Sequence, residues 1–581
     1  MITTDITVHK QSYDFCVVGG GMAGICAAVA AARRGAKTVL IQDRPVLGGN
    51  ASSEVRMWIC GCHGINNKEA GILEELQLEN MRWNPSLHYN IWDHVLQGFV
   101  SREENLKLML NCSCDGVIMD GSRIKAVKAW QLTTQKRYEI SAKYFADCSG
   151  DSILRFSGAE YRCGREAASE YNESYAPEVA DNKTMGNSIL IQVKELDRQT
   201  TFDAPPWAHV FEEKGFHRGY NIHRDNNFWW MEYGGIMDTI GDAEEIRDEL
   251  LKIAYGVWHL VKNNKKNPAK NYDLEWVGAL PGKRENIRYI GDHVLTQSDV
   301  EKQGRFDDIV AYGGWNFDDH NPAAFYFDGP PTVFHLTPRP FGIPFRCLYS
   351  RNIENLYFAG RNISCSHVAM STTRVMGTCA IEGQAVGTAA AIGVRDGLDP
   401  RGVYEKRITE LQNMLMDDDC YIPWHVKPMN DLTKNARLQA ESDDDVEYLR
   451  NGIERDVDGV KQYFAADPGS YIEYHFDAPT KVNGIRLVFD SDLRNEKGKR
   501  MPAIYPIDGH NVELPEELIK EFSIKIQTGG PDSEWEEIHY QEDNYRRLVR
   551  IPVEKKVTAV RLIPEITWGL DEARIYTFEL Y

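Results

Sequence analysis

Gly19, Gly21 and Gly24 stand near the start of the chain at the spacing G-x-G-x-x-G. That spacing suits holding the diphosphate of a dinucleotide, the alternative being a glycine turn in an unrelated α/β protein, and the surrounding elements decide for the first. The first glycine permits a tight turn, the second lets backbone approach the pyrophosphate, and the third lets a helix pack closely on the preceding strand. The flanking residues supply the elements the turn needs. Phe15-Cys16-Val17-Val18 is a short apolar run, as suits a buried parallel strand. Residues 25–34 form an Ala-rich helix whose N-terminus offers free N–H groups and the positive end of its dipole. Residues 38–41 read as the next strand. Gln42 and Asp43 follow it, where a polar side chain holds the ribose hydroxyls; Gln42 aligns best, at a position usually acidic. NAD and FAD share this turn, so it specifies a dinucleotide without choosing between them.

The chain has 581 residues, enough for several domains. Its formal net charge of -20 argues against nonspecific nucleic-acid or anionic-membrane binding. No apolar run reaches the roughly 18 residues that span a bilayer. The first 14 residues lack a basic region followed by an apolar stretch, so the expectation is a cytoplasmic protein, a removed leader aside. The 12 cysteines are then expected as reduced thiols. Cys60/Cys62 and Cys112/Cys114 are too tightly spaced for a zinc knuckle, and no metal site is expected.

Beyond about residue 429 the texture changes. Ile472, Tyr474 and Phe476 alternate, as do Ile485, Leu487 and Phe489, and Phe522, Ile524 and Ile526. Period-two alternation between turns predicts a β-sandwich. Residues 423–430 read as a linker after a helix at 403–416.

Later segments carry a resemblance. Leu47-Gly48-Gly49-Asn50 resembles the Gly-Gly that lies over the diphosphate in flavoproteins of the glutathione-reductase and fumarate-reductase kind. The segment from Tyr144 to Asp151 resembles the strand that crosses back beneath FAD. The segment from Asn355 to Arg361 resembles the last strand of the FAD domain, ending in Gly360 where backbone approaches the ribityl chain. The run QDRPVLGGNASSE at 42–54, RMWICGCHG at 56–64 and GKRE at 282–285 complete the likeness. From about residue 13 to 424 the chain is similar to the FAD-dependent oxidoreductases, a functionally diverse family.

The resemblance implies an α/β Rossmann-like FAD-binding fold at 1–160 and 345–400. An inserted α+β substrate region occupies 161–344, a helix and linker 401–428, and a β-sandwich resembling discoidin or galactose-binding domains 429–581. The implied FAD contacts are Gly19, Gly21, Met22, Ala23, Gly24, Gln42, Asp43, Arg44, Gly49, Asn50, Ser52, Arg56, Cys114, Ser149, Gly150, Asp151, Gly360, Arg361, Met376, Gly377 and Thr378. The segment 374–379 leads into an Ala/Gly-rich helix at 380–392, whose start is expected to aim N–H groups at the flavin pyrimidine.

For catalysis the expectation is that His63, His367 and Arg374 converge on the flavin, because ligands gather at the carboxyl ends of parallel strands. Histidine suits proton transfer and arginine suits developing negative charge. His63 has a structural alternative. Arg284, Glu285, His320, His335, Arg339 and Arg346, in the capping segment, suit an anionic or polyhydroxyl substrate or surface ion pairs. The aromatic run Phe228-Trp229-Trp230-Met231-Glu232-Tyr233 suits stacking on a sugar or a core strand. The function these features imply is hydride transfer between flavin N5 and a small polar substrate such as a sugar derivative. The alternatives are a fumarate-reductase-like reductase of an activated double bond and a glycan-binding protein with structural FAD. The electron partner stays open.

Overall fold

The computed structural model describes residues 6–220, 222, 228–265, 269–494, 499, 501, 512–530 and 532–581. The chain divides into two compact units, one of residues 1–62, 86–411 and 500–511, the other of 63–85, 412–499 and 512–581. The division falls at 411/412, inside the helix Pro400–Asp417, and the segment 63–85 belongs to the second unit.

The first unit is built on a seven-stranded sheet. Its strands are β1 (Val8–Val18), β2 (Thr38–Ile41), β3 (Leu106–Met109), β4 (Cys112–Asp120), β5 (Arg123–Gln131), β6 (Lys136–Asp147) and β7 (Leu356–Phe358). The order is β3-β2-β1-β6-β5-β4, with β7 also pairing with β6. β1, β2, β3, β6 and β7 pair in parallel, whereas β4 and β5 form antiparallel pairs leading into β6. The registers bring Val18, Ile41, Asp147 and Phe358 to one edge. Gly19, Gln42, Cys148 and Ala359 therefore leave the sheet together, at the carboxyl ends where ligands bind in such folds.

Two helices lie close to this edge, α1 (Met22–Arg33) and, after the short α2 (His367–Thr373), α3 (Met376–Asp396). Both are rich in alanine and glycine and buried along most of their length, as helices of a core interior should be. Their glycines allow backbone contact. A Cβ at Gly24 would lie 1.7 Å from the Gly19 carbonyl oxygen, and Cβ atoms at Gly383 and Gly387 would lie 2.0 and 2.1 Å from the carbonyl oxygens of Ala23 and Ala27. α3 ends at Gly397, whose φ of +67° is the left-handed cap that favours glycine.

The inserted region is α+β, as expected. Short antiparallel pairs join Asn187–Ser188 to Glu232–Tyr233, Ile191–Glu195 to Tyr272–Val277, and Phe317–His320 to Thr332–His335. The long helix Ala243–Asn263 covers an apolar cluster that includes Ile189, Phe228, Trp230, Met231 and Phe325. Most of the aromatic run is thus core.

The second unit is the expected all-β domain. Its long strands Ile472–Phe489 and Leu548–Thr567 pair with each other, and register shifts interrupt both. The alternating residues singled out from the sequence, among them Tyr474, Leu487, Phe489, Ile524 and Ile526, meet in one core. The helix Ile72–Trp83 adds Leu78 and Met81 to that core. Its buried Glu74 accepts hydrogen bonds from Lys68, Ser491 and Lys499. Among the described residues, no helix is long and apolar enough to cross a membrane.

Gly387→Leu is expected to cost about 3 kcal/mol of stability, because its side chain must displace α1 backbone. Gly397→Ala meets no neighbouring atoms within 4 Å and should lose only about 1–2 kcal/mol, for the left-handed backbone. Denaturant unfolding of both variants checks the contrast.

Candidate active site

A cavity of about 610 Å³ opens at the carboxyl edge of the sheet. One end is walled by the 19–23 turn, Gln42, Asp43, Arg44 and Cys112–Cys114, the other by Trp229, Arg284, Trp315, Asp318, His320 and Arg374. The turn is built for an anion. α1 has no side-chain cap, since its N-cap is Gly21, so its first N–H groups open on the cavity beside Gly21, Met22 and Ala23. A Cβ at Gly21 would meet only Gly49 Cα, at 4.0 Å, so two bare backbones face each other across the groove. These features fit a dinucleotide diphosphate.

Most expected cofactor contacts line the cavity: Gly19, Gly21, Met22, Ala23, Gln42, Asp43, Arg44, Gly49, Asn50, Cys114, Ser149, Gly150, Asp151, Gly360, Arg361 and Met376. Several have tasks the sequence did not reveal. Gln42 Oε1 accepts a 2.7 Å hydrogen bond from Gly20 N–H and its Nε2 donates to the Val46 carbonyl, so its side chain braces the turn. Asp151 accepts from Lys283 at 2.8 Å, Asn286 at 2.7 Å and Arg361 at 2.8 Å. Burial opposes its charge, but Arg361 and Lys283 more than offset that and hold its carboxyl below the usual range. Gly360 N–H donates to buried Glu382 at 2.9 Å, and burial pushes that carboxyl well above its ordinary value.

Five expected contacts do not line the cavity. Gly24 is consumed by helix packing. Ser52 donates to the Gly49 carbonyl at 2.7 Å and shapes the loop from within. The Arg56 guanidinium donates to Gln192 at 2.6 Å and lies over the Trp276 ring. Gly377 N–H donates to the Cys60 carbonyl at 2.7 Å, so that N–H of α3 fastens a loop and is not aimed at a ligand. Thr378 lies one residue further into the same helix.

Of the three expected catalytic residues, only Arg374 lines the cavity. Its Nη2 donates to Asp318, while Nε is buried and unpartnered among the described residues. His63 begins the second unit, and its carbonyl accepts from Asn67. His367 is buried with Nδ1 2.9 Å from Glu285 Oε1 and Nε2 3.2 Å from Asp319 Oδ1. Burial would lower its pKa, but Glu285 and Asp319 override that and raise it to about 10. Both its nitrogens are engaged by carboxylates, and it does not line the cavity.

The capping residues divide likewise. His335 stacks on Tyr175 with ring centroids 3.8 Å apart, Arg346 pairs with Asp308 at 2.8 Å, and Arg339 donates to Asn316 at 2.6 Å. Arg284 and His320 face the cavity. Arg284 donates to Ser188 at 2.9 Å and lies 3.4 Å from Glu232; burial lowers its pKa. Asp318, which sequence reasoning missed, accepts from Thr332, Arg374 and Trp315. Burial opposes its charge, yet His320 and Arg374 hold its carboxyl far below the usual range. Alternation along Phe317–His320 puts Asp318 with His320 and Asp319 with His367.

The profile of the FAD dependent oxidoreductase family matches residues 14–415. A stretch of 141 residues is 29% identical to a ferredoxin–NADP reductase of Exiguobacterium sibiricum, covering 23% of this chain and 39% of that protein. The chain thus spans about two fifths of the length of the curated relatives it matches. Among solved structures, a geranylgeranyl bacteriochlorophyll reductase-like protein from Thermoplasma acidophilum is similar over 71% of this chain and 85% of its own, at 13% identity and a TM-score of 0.33. A family 32 carbohydrate-binding module from Streptococcus pneumoniae is similar over 25% of this chain and 94% of its own, at 15% identity and a TM-score of 0.19.

The His367 cation makes a signed prediction. Its folded pKa, about 10, lies above its ordinary value of 6.5. Its stabilisation is therefore full below pH 6.5 and is lost as pH rises towards 10. His367→Gln should cost about 3 kcal/mol at low pH, because buried Glu285 and half-buried Asp319 lose their cation. The difference from the parent protein should shrink between pH 6.5 and 10 in denaturant melts.

Proposed function

The chain belongs to the FAD dependent oxidoreductase family, and on that premise we propose that it moves hydride between a small polar substrate and flavin N5 in the chamber bounded by Arg284, His320 and Arg374. One observation carries the reading: the dinucleotide groove at the 19–23 turn and the chamber walled by Trp229, Arg284, Trp315, His320 and Arg374 are a single cavity. FAD supplies the two-electron chemistry, and the chain supplies position, charge and a proton path. Gly21 and the first turn of α1 take the diphosphate, and Asp43 takes the ribose. Asp151, fixed by Lys283 and Arg361, orders the polar wall between the two ends.

In the chamber, Trp229 and Trp315 offer aromatic surface for the apolar face of a sugar ring, beside cations that bind its oxygens. Arg374, with its unpartnered Nε, stands ready for an oxygen on which negative charge builds. That same unspent donor favours a second reading, reduction of an activated double bond whose carboxylate Arg374 would hold.

Purified protein should carry one FAD per chain, and Gly21→Leu should release it by filling the groove opposite Gly49. Anaerobic addition of sugars and polyols should bleach the oxidised flavin of the parent protein. In Arg374→Ala, FAD should stay bound while half-bleaching needs roughly tenfold more substrate. If no alcohol bleaches the flavin and an enoate reoxidises the reduced protein, the double-bond reading replaces the first.

A further inference from the structure

We infer that His320 is the proton-transfer group of the chamber and that Glu232 is the residue that positions it, a reading that rests on the redox function proposed above. The two come from separate elements: His320 ends the strand Phe317–His320, and Glu232 begins Glu232–Tyr233. His320 Nδ1 lies 2.7 Å from Glu232 Oε2. An ionised carboxylate only accepts, so Nδ1 carries the proton of this bond and Nε2 is the nitrogen left to exchange one. Nε2 stands 3.3 Å from Asp318 Oδ1, an oxygen that already accepts from Thr332.

The ring is only 3% exposed yet lines the cavity, so whatever reaches it arrives through the cavity. His367 is the contrast: it too lies between two carboxylates, Glu285 and Asp319, but it has no place on the cavity wall.

Every neighbouring element contributes to the field at His320. Asp318 and Asp319 share its strand, Thr332 pairs with it across the hairpin, and Trp229 meets its ring edge-on at 5.3 Å between centroids. Arg284 lies 3.4 Å from Glu232, and Arg374 lies 3.1 Å from Asp318. The groups follow one another as Arg284, Glu232, His320, Asp318 and Arg374, of which all but Glu232 line the cavity. The imidazole is the central member of an alternating row, held from both sides.

When a carbinol is oxidised, its C–H bond breaks, and bound oxidised FAD would supply the acceptor for the hydride and its electron pair. The O–H bond also breaks, its proton passes to Nε2 of neutral His320, and the C=O bond forms. In the reverse direction His320 returns that proton to the oxygen.

The test is the midpoint potential of FAD bound to the full chain, measured against pH by equilibration with redox dyes during chemical reduction. A titrating imidazole in the cavity puts a break in the potential–pH line at its own midpoint. His320→Gln should abolish the break. Glu232→Gln should move it to lower pH, because the anion that favours the charged ring is gone. Glu232→Asp should restore most of the shift. A break identical in all four proteins overturns the inference.

Histidine-ring NMR titration reads the same pair without using the flavin. A His320 midpoint that falls in Glu232→Gln supports the positioning role, and one that stays put overturns it. Parent protein that holds no FAD would overturn the redox function instead, and the NMR titration would still decide the Glu232–His320 pair.

Discussion

Backbone-to-backbone contact between α1 and its surroundings is the constraint on which the site depends. Gly24 lets α1 sit against the carbonyl of Gly19, and Gly383 and Gly387 let α3 sit against the carbonyls of Ala23 and Ala27. No side chain separates these elements. The start of α1 is thereby fixed at the carboxyl edge of β1, β2 and β6, its uncapped N–H groups facing the cavity. Moving α1 outward by one methyl group would shift the turn, the floor of the groove and the α3 start together.

Above that floor, charge is sorted by a single strand. Phe317–His320 directs Asp318 and His320 to the cavity wall and Asp319 towards buried His367. Each histidine lies between two carboxylates, but only one of them borders the cavity. The buried system, with Arg288 bound to Glu285 and Glu166, holds the inserted region in place. The wall system, flanked by Arg284 and Arg374, is open to a ligand. Similar residue types thus serve fold and function a few ångströms apart.

Much of this was legible in the sequence because local rules dictate it. The glycine turn, its strands and the Ala-rich helix are contiguous, and the turn's spacing has one good physical explanation. The period-two runs at 472–476 and 522–526 announced the β domain. The chamber was harder to read. Asp151 meets Lys283 and Arg361 across 132 and 210 positions, and Glu232 meets His320 across 88. No local pattern encodes such distances. The surroundings of His367 were not legible, because a histidine at a helix start looks the same whether it faces a cavity or lies between Glu285 and Asp319. Gly377 was misread because a helix start is taken as free until the Cys60 carbonyl is seen on it. The boundary at 63–85 was invisible because Leu78 and Met81 give an ordinary amphipathic helix no address.

The central claim is that one cavity holds the flavin and presents it to the chamber. The most direct measurement is a crystal structure of the oxidised protein with its bound FAD. The account predicts density for the diphosphate against Gly21, Met22 and Ala23, and for the flavin ring in the chamber bordered by Trp229, His320 and Arg374. A flavin ring outside that chamber, with the diphosphate away from the 19–23 turn, would contradict it.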